Sequence, residues 1–299
     1  MDKHLVVIAG ATAVGKTAVA IQLAQHFNTQ IISADSRQCY RELVIGVARP
    51  SPHELATVPH HFVASHSIHE NVHAAVFAKY ANEKLQSIFS QSDVAVICGG
   101  TGLYLDALLY GLDEIPAVRE DVRQAVRIGY ETHGLLWLQK QLQQDDPDTF
   151  AALDGHNPHR LMRALEVVRS SGKPITTFHN KKKLRTDVAI HLFLLHLPKE
   201  ELHERINKRV DVMMNAGLLQ EVKGLLPWKH LSPCQTVGYT ELFDYLEGNT
   251  KLDTAVEKIK IATRQYAKRQ RTWFRRNALY QPVAPHASAI LHRLHGIKN

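Results

Sequence analysis

The chain has 299 residues, 44% of them hydrophobic and 22% charged, an ordinary globular composition with room for one large domain or two. No apolar run approaches the roughly 18 residues of a membrane span, and the first residues lead straight into a strand pattern, so neither an anchor nor a secretory signal is expected. Cys39, Cys98 and Cys234 are isolated in sequence, which argues against a zinc site or a disulfide framework and points to a reducing cytosol. The net charge of +7 is unevenly spread: residues 251–299 carry +9 and residues 1–250 carry −2. Such a basic tail is expected where one end of a protein meets a polyanion.

In chain order, Leu5 to Ala9 is an apolar strand pattern that ends in Gly10-Ala11-Thr12-Ala13-Val14-Gly15-Lys16-Thr17 and runs directly into a helical pattern at Val19, Leu23 and Phe27. Gly-x-x-x-x-Gly-Lys-Thr between a strand and a helix is the P-loop signature in its required context. Glycines let the backbone curl so that its N–H groups face an anion, and the helix adds its positive end. Lys16 can reach a terminal phosphate, and the Thr17 hydroxyl can ligate a Mg²⁺ that bridges phosphate oxygens. A second strand, Gln30 to Ala34, ends in Asp35-Ser36-Arg37-Gln38. Residues 41–59 read as loop, residues 71–89 as helix, and Val94 to Cys98 as a buried strand ending in Gly99-Gly100-Thr101-Gly102.

Strand signals vanish between about residues 113 and 185, where short helical pieces break at Gly134, Pro147, Asn157-Pro158 and Gly172. The alternation resumes with a strand at 188–197, helices at 200–216 and 218–225, and a turn at 235–239 into another helix. A last long helix is expected over 253–276, carrying Lys260, Arg264, Lys268, Arg271 and Arg275 as a basic stripe. The Lys181-Lys182-Lys183 run with Arg185 is the other basic cluster. The expected architecture is α/β: a P-loop parallel sheet flanked by helices, with an inserted all-helical subdomain. Its bounds are 1–112 and 186–299 for the core and 113–185 for the insertion.

Parallel sheets bind ligands outside the carboxyl ends of their strands, so Asp35 belongs on the same rim as the glycine loop. There it can accept a proton from an acceptor nucleophile, or serve as a cap or as a supporting group for Mg²⁺. Thr101 can hydrogen-bond a bridging or leaving oxygen, or cap the helix that follows. Arg160 and Arg163 stand at i and i+3 on one face; they, Arg123 and Arg209 are phosphate-gripping candidates, against a solvated-face alternative. The nineteen histidines show no paired metal spacing, and His60-His61 reads as loop. Tyr266 and Trp273 are expected to pack in the core. The residues alone support a P-loop enzyme with Mg²⁺, a rim carboxylate and a nucleic-acid-facing tail. A small-molecule kinase fits nearly as well, and a non-catalytic RNA-binding NTP switch is a third possibility.

Several segments together resemble one family, the tRNA dimethylallyltransferases (tRNA isopentenyltransferases). They are Gly10 to Thr17, Ser33 to Gln38, Ile45 to Pro50, Pro59 to His61, Gly99 to Tyr104, Asn157 to Arg160 with Arg163 to Glu166, Gln235 to Tyr239, and Ala267 to Gln270 with Thr272 to Arg275. The chain departs from the family pattern at Ala11, Val47, Arg49 and His159, and lacks the C-terminal zinc finger of eukaryotic members, which looks bacterial. The resemblance implies that the loop (Gly10, Ala11, Thr12, Ala13, Val14, Gly15, Lys16, Thr17) and Arg209 hold the diphosphate of dimethylallyl diphosphate. It further implies attack by N6 of the adenosine 3′-adjacent to the anticodon, with Asp35 as base and Thr101 and Lys16 assisting the leaving group. Asp35, Ser36, Arg37, Gln38, Thr101, Arg123, His159, Arg160, Leu161, Met162 and Arg163 would contact the tRNA. The basic C-terminal helix would meet phosphates and make binding salt-dependent. A free-adenylate prenyltransferase sharing the loop is the rival within this chemistry. A cytoplasmic monomer is expected.

Overall fold

The computed structural model describes residues 3–180 and 183–297; Lys181 and Lys182 of the basic run lie outside them. In chain order the elements are β1 (His4–Gly10), α1 (Lys16–His26), β2 (Ile31–Ala34), α2 (Pro52–Thr57), β3 (His60–His61), α3 (Ala74–Phe89), β4 (Val94–Gly99) and α4 (Gly102–Tyr110). There follow α5 (Glu120–Asp145), α6 (Pro147–Ala152), α7 (Pro158–Ser171), β5 (Ala189–Leu195), α8 (Lys199–Asn215) and α9 (Leu218–Gly224). The chain closes with α10 (Tyr239–Leu246), α11 (Leu252–Arg275), β6 (Gln281–Val283) and α12 (Ala287–Leu291). It divides into one unit of residues 1–110 and 184–299 and a second of residues 111–183.

In the first unit six strands form one sheet in the order β3-β2-β4-β1-β5-β6, and every neighbouring pair is parallel. Leu5 to Ala9 are fully buried because helices cover both faces of such a sheet. Alternate residues feed opposite layers. Leu5, Val7 and Ala9 pack with Phe77 and Leu85 of α3 and with Ile259 and Phe274 of α11. Val6 and Ile8 pack with Val19 and Leu23 of α1 and Leu202 and Ile206 of α8.

Several expectations are refined here. Residues 41–59 contain a helix, α2, whose Ser51 and Glu54 form a reciprocal capping box. His60-His61 is a short edge strand beside β2, too brief to carry a period in sequence. Burial holds the imidazoles of His60, His61 and His191 below the ordinary histidine range. His191 also faces His4, with His4 Nδ1 3.1 Å from His191 Nε2. A histidine whose folded pKa is depressed stabilises the fold above its unfolded pKa, about 6.5, and that contribution is lost as pH falls below it. Melting temperature is therefore expected to drop between about pH 7.5 and about pH 5.5. His191→Gln should show a smaller drop by calorimetry; an unchanged drop would remove the His4–His191 pair from the account.

The second unit has helices and no strand among its described residues. Its core joins Val122, Val126, Leu138 and Leu142 of α5 to Leu161, Ala164 and Leu165 of α7. Gly134 (φ 73°, ψ −167°) breaks α5 into two segments, in line with the turn signal in the sequence. Asn157 caps α7 by accepting the Arg160 N–H at 3.2 Å, and Gly172 ends it in a left-handed conformation.

Candidate active site

The site is built where β1, β2 and β4 end. After Gly10 the chain curls through Ala13 (φ 64°) and Gly15 (φ 102°) before α1 begins. A left-handed residue at position 15 is what turns the backbone into the helix, and glycine takes that conformation without strain. Lys16 lies across the loop, its Nζ donating to the Ala11 carbonyl at 2.8 Å. Burial pulls its pKa down to about 8, although Cys98 and Asp35 work against that shift. An ammonium so short of solvation gains strongly from an anion placed beside it.

Distant residues complete the loop. Arg209 of α8 donates from Nη1 to Thr12 Oγ1 at 3.3 Å, and burial lowers its guanidinium pKa despite the opposing carboxylate of Asp35. Gln270 of α11, only 6% exposed, accepts the Thr12 N–H at 2.8 Å and donates to the Gly100 carbonyl at 2.9 Å. One amide thus pins the β1 and β4 tips together.

Asp35 stands at the tip of β2. Its Oδ1 accepts the backbone N–H of Arg37 at 2.9 Å and of Gln38 at 3.2 Å. Its Oδ2 has no hydrogen-bond partner among the described residues. The carboxylate thus shapes its own turn through Oδ1 alone. Thr101 accepts the Ser36 N–H at 3.0 Å and donates to Ser36 Oγ at 3.4 Å. Its hydroxyl ties the β4 tip to the Asp35 turn, and Thr101 lines neither of the cavities described next.

Two cavities meet over Asp35. The first, 290 Å³, is walled by Thr12, Ala13, Gly15, Lys16, Thr17, Gln38, Arg49 and His60. The second, 180 Å³, is walled by Ser36, Arg37, Gly46, Val210, Met213, Leu218, Val237 and Ile259. Thr12, Asp35, Val47, Ala48, Arg209 and Tyr266 line both and form the neck between them. A polar, cationic chamber thus opens beside a largely apolar one, with an uncommitted carboxylate oxygen at their junction. The arrangement suits transfer of a group from an anionic leaving group to an acceptor that must lose a proton.

The sequence reading missed Tyr266 as a cavity residue. Its ring faces the neck, half-buried, with the Arg269 guanidinium 5.8 Å away; burial pushes its hydroxyl up to about 12. Trp273 does pack inside, against Gly102, where a Cβ would come within 2.2 Å of the indole. The basic stripe on α11 is partly engaged. Lys260 pairs with Asp211 and Glu257, and Arg264 donates to Asn207 at 2.6 Å. Lys268 and Arg275 are exposed.

Arg123, His159, Arg160, Leu161, Met162 and Arg163 belong to the second unit. Arg123, His159 and Arg160 are exposed there, whereas Leu161 is fully buried, so its side chain supports α7 from inside. Arg123 pairs with Glu120 at 3.1 Å and Arg163 with Glu166 at 3.8 Å. Among the described residues no group of three or more His, Cys, Asp or Glu side chains is placed to hold a metal, and no helix is long and apolar enough to cross a membrane.

The parallel α/β sheet thus carries its glycine loop and a carboxylate at the carboxyl rim, the place where sheets of this class bind ligands. Residues 38–277 match the family described as IPP transferase, and the chain belongs to that family. It is 44% identical over 277 residues to the tRNA dimethylallyltransferase of Christiangramia forsetii, covering 93% of this chain and 92% of that one. The relative in Flavobacterium johnsoniae, of the same name, is also 44% identical, over 281 residues. Among solved structures, the full-length tRNA isopentenylpyrophosphate transferase of Bacillus halodurans superposes with a TM-score of 0.70 at 33% identity, covering 99% and 95% of the two chains. A eukaryotic dimethylallyltransferase solved acting on tRNA gives a TM-score of 0.81 at 25% identity, covering 98% of this chain and 77% of that one.

Proposed function

We propose that this chain is a tRNA prenyltransferase that moves a dimethylallyl group from dimethylallyl diphosphate to N6 of the adenosine at tRNA position 37, just 3′ of the anticodon. The observation that carries this reading is the place of Asp35 in the neck between the glycine-loop cavity and its apolar neighbour, with only its Oδ1 engaged in hydrogen bonds among the described residues. The N6 lone pair is delocalised into the purine ring, so removing its proton matters. N6 forms a bond to the allylic carbon, the carbon–oxygen bond breaks with its electron pair leaving on diphosphate, and the N6 proton passes to Asp35. Lys16, Arg209 and the loop amides stabilise the charge that develops on the leaving group. Thr101 acts by holding Ser36, and so the Asp35 turn.

A Mg²⁺ ion fits the residues present. Thr17 offers a hydroxyl in the first cavity, and this ion keeps most of its ligands as water and phosphate oxygens rather than needing a protein cage. When bound it supplies positive charge to the diphosphate. The adenine must leave its stack to reach the neck. Arg123, His159, Arg160, Met162 and Arg163 of the second unit, with Ser36, Arg37 and Gln38, are the proposed contacts to the anticodon stem-loop. The protein is proposed to work as a cytoplasmic monomer.

Purified protein should transfer a labelled prenyl group to unmodified tRNA. Nucleoside mass spectrometry of tRNA from cells lacking the gene should show prenylated adenosine lost, and restored by the wild-type copy. ATP turnover with a small acceptor and no need for tRNA would instead identify a kinase, and transfer to free adenylate would identify the nucleotide prenyltransferase.

A further inference from the structure

Glu221, on α9, lines neither cavity, yet its carboxylate gathers four donors. Oε2 accepts the backbone N–H of Val44 at 3.2 Å and of Ile45 at 2.7 Å. Oε1 accepts the N–H of Gly46 at 3.1 Å and the hydroxyl of Tyr239 at 2.5 Å. Bonds to an ionised acceptor are about twice as strong as neutral ones, so this is a firm clamp on three successive amides. Gly46 is part of it, because a Cβ there would lie 2.4 Å from the Tyr239 ring.

What the clamp holds leads to the reacting centre. The next two carbonyls, of Val47 and Ala48, accept the Gln38 side-chain amide at 3.2 and 2.9 Å. Ala48 sits at φ 49°, a left-handed conformation that an alanine keeps only when its surroundings impose it. Gln38 in turn donates its backbone N–H to Asp35 Oδ1. Val47 and Ala48 are themselves wall residues of the neck.

We infer that Glu221 is a positioning residue for the transfer reaction, fixing the 44–48 loop and, through Gln38, the direction in which Asp35 presents its free oxygen. The inference rests on the prenyltransferase reading. It separates from a plain structural staple because a staple's loss is indifferent to whether Asp35 is present.

Glu221→Gln keeps the size of the side chain but turns one acceptor oxygen into a donor facing amide N–H groups. Misplacing a reacting group by about 1 Å costs up to about 10²-fold. The expected result is a kcat lower by about 10-fold to 10²-fold, with KM for dimethylallyl diphosphate within about twofold. In an Asp35→Ala background the same substitution should cost less than about twofold, since no base remains to be aimed. Tyr239→Phe removes one of the four donors and should repeat the pattern at about threefold; it decides the question alone if Glu221→Gln does not fold. Equal losses with and without Asp35, a change confined to donor KM, or no change in kcat would each overturn the inference. If wild-type protein fails to prenylate tRNA, the functional reading itself falls; if only the cycle proves additive, Glu221 alone is reassigned.

Discussion

Asp35→Ala is expected to lower kcat for prenyl transfer to tRNA by about 10²-fold or more, the usual contribution of a positioned general base. Donor binding should change little, because the Ala11 carbonyl still holds the Lys16 ammonium and Gln270 still holds the Thr12 amide. The carboxylate holds two amides as well as facing the neck, so alanine removes a turn and a base together. Asp35→Asn separates them. An asparagine oxygen can still accept the N–H groups of Arg37 and Gln38, while the other position can no longer take a proton. If proton removal is the role, Asp35→Asn also loses turnover by about 10²-fold, and Asp35→Ala loses at least as much. A fully active Asp35→Asn enzyme would show that the residue serves only its turn.

Lys16→Ala is expected to lower kcat/KM for dimethylallyl diphosphate by about 10²-fold to 10³-fold, the range for losing one preorganised donor to a developing oxyanion. Arg209 remains at Thr12 and keeps part of the charge stabilisation. Melting temperature should stay level or rise. The lysine is a half-buried cation whose folded pKa is drawn down by desolvation, so the folding cost relieved by removing it offsets the lost bond to the Ala11 carbonyl. A variant that loses activity and also melts much earlier would point to a structural role for Lys16. Initial rates over a range of donor concentration, with scanning calorimetry alongside, give both readouts.

Much of this site is local in sequence and therefore legible there. A strand, eight loop residues and a helix lie within about twenty positions, and the Asp35 turn follows one strand later. The same locality made Gly134, Asn157 and Gly172 readable as breaks and caps in the second unit. His60-His61 was illegible as a strand because two residues carry no alternation. The stripe on α11 looked uniformly basic because its partners, Asp211 and Asn207, sit on α8 some fifty residues earlier. Glu221 gave no signal at all. A glutamate on a helix reads as solvent-facing until the amides it collects are folded onto it.

The amino-acid sequence by itself settled the inventory of residues: a glycine turn, a lysine and a threonine beside it, a carboxylate one strand later, and alternating strands and helices that demand a parallel sheet. Only the tertiary structure decided which far-off residues finish that inventory. Arg209 and Gln270 reach Thr12, and Glu221 and Tyr239 reach the 44–46 amides, across separations too long for any periodicity to report. The reason is physical. Side-chain type and local period are written along the chain, whereas a hydrogen bond between elements exists only once buried apolar faces have brought their backbones together.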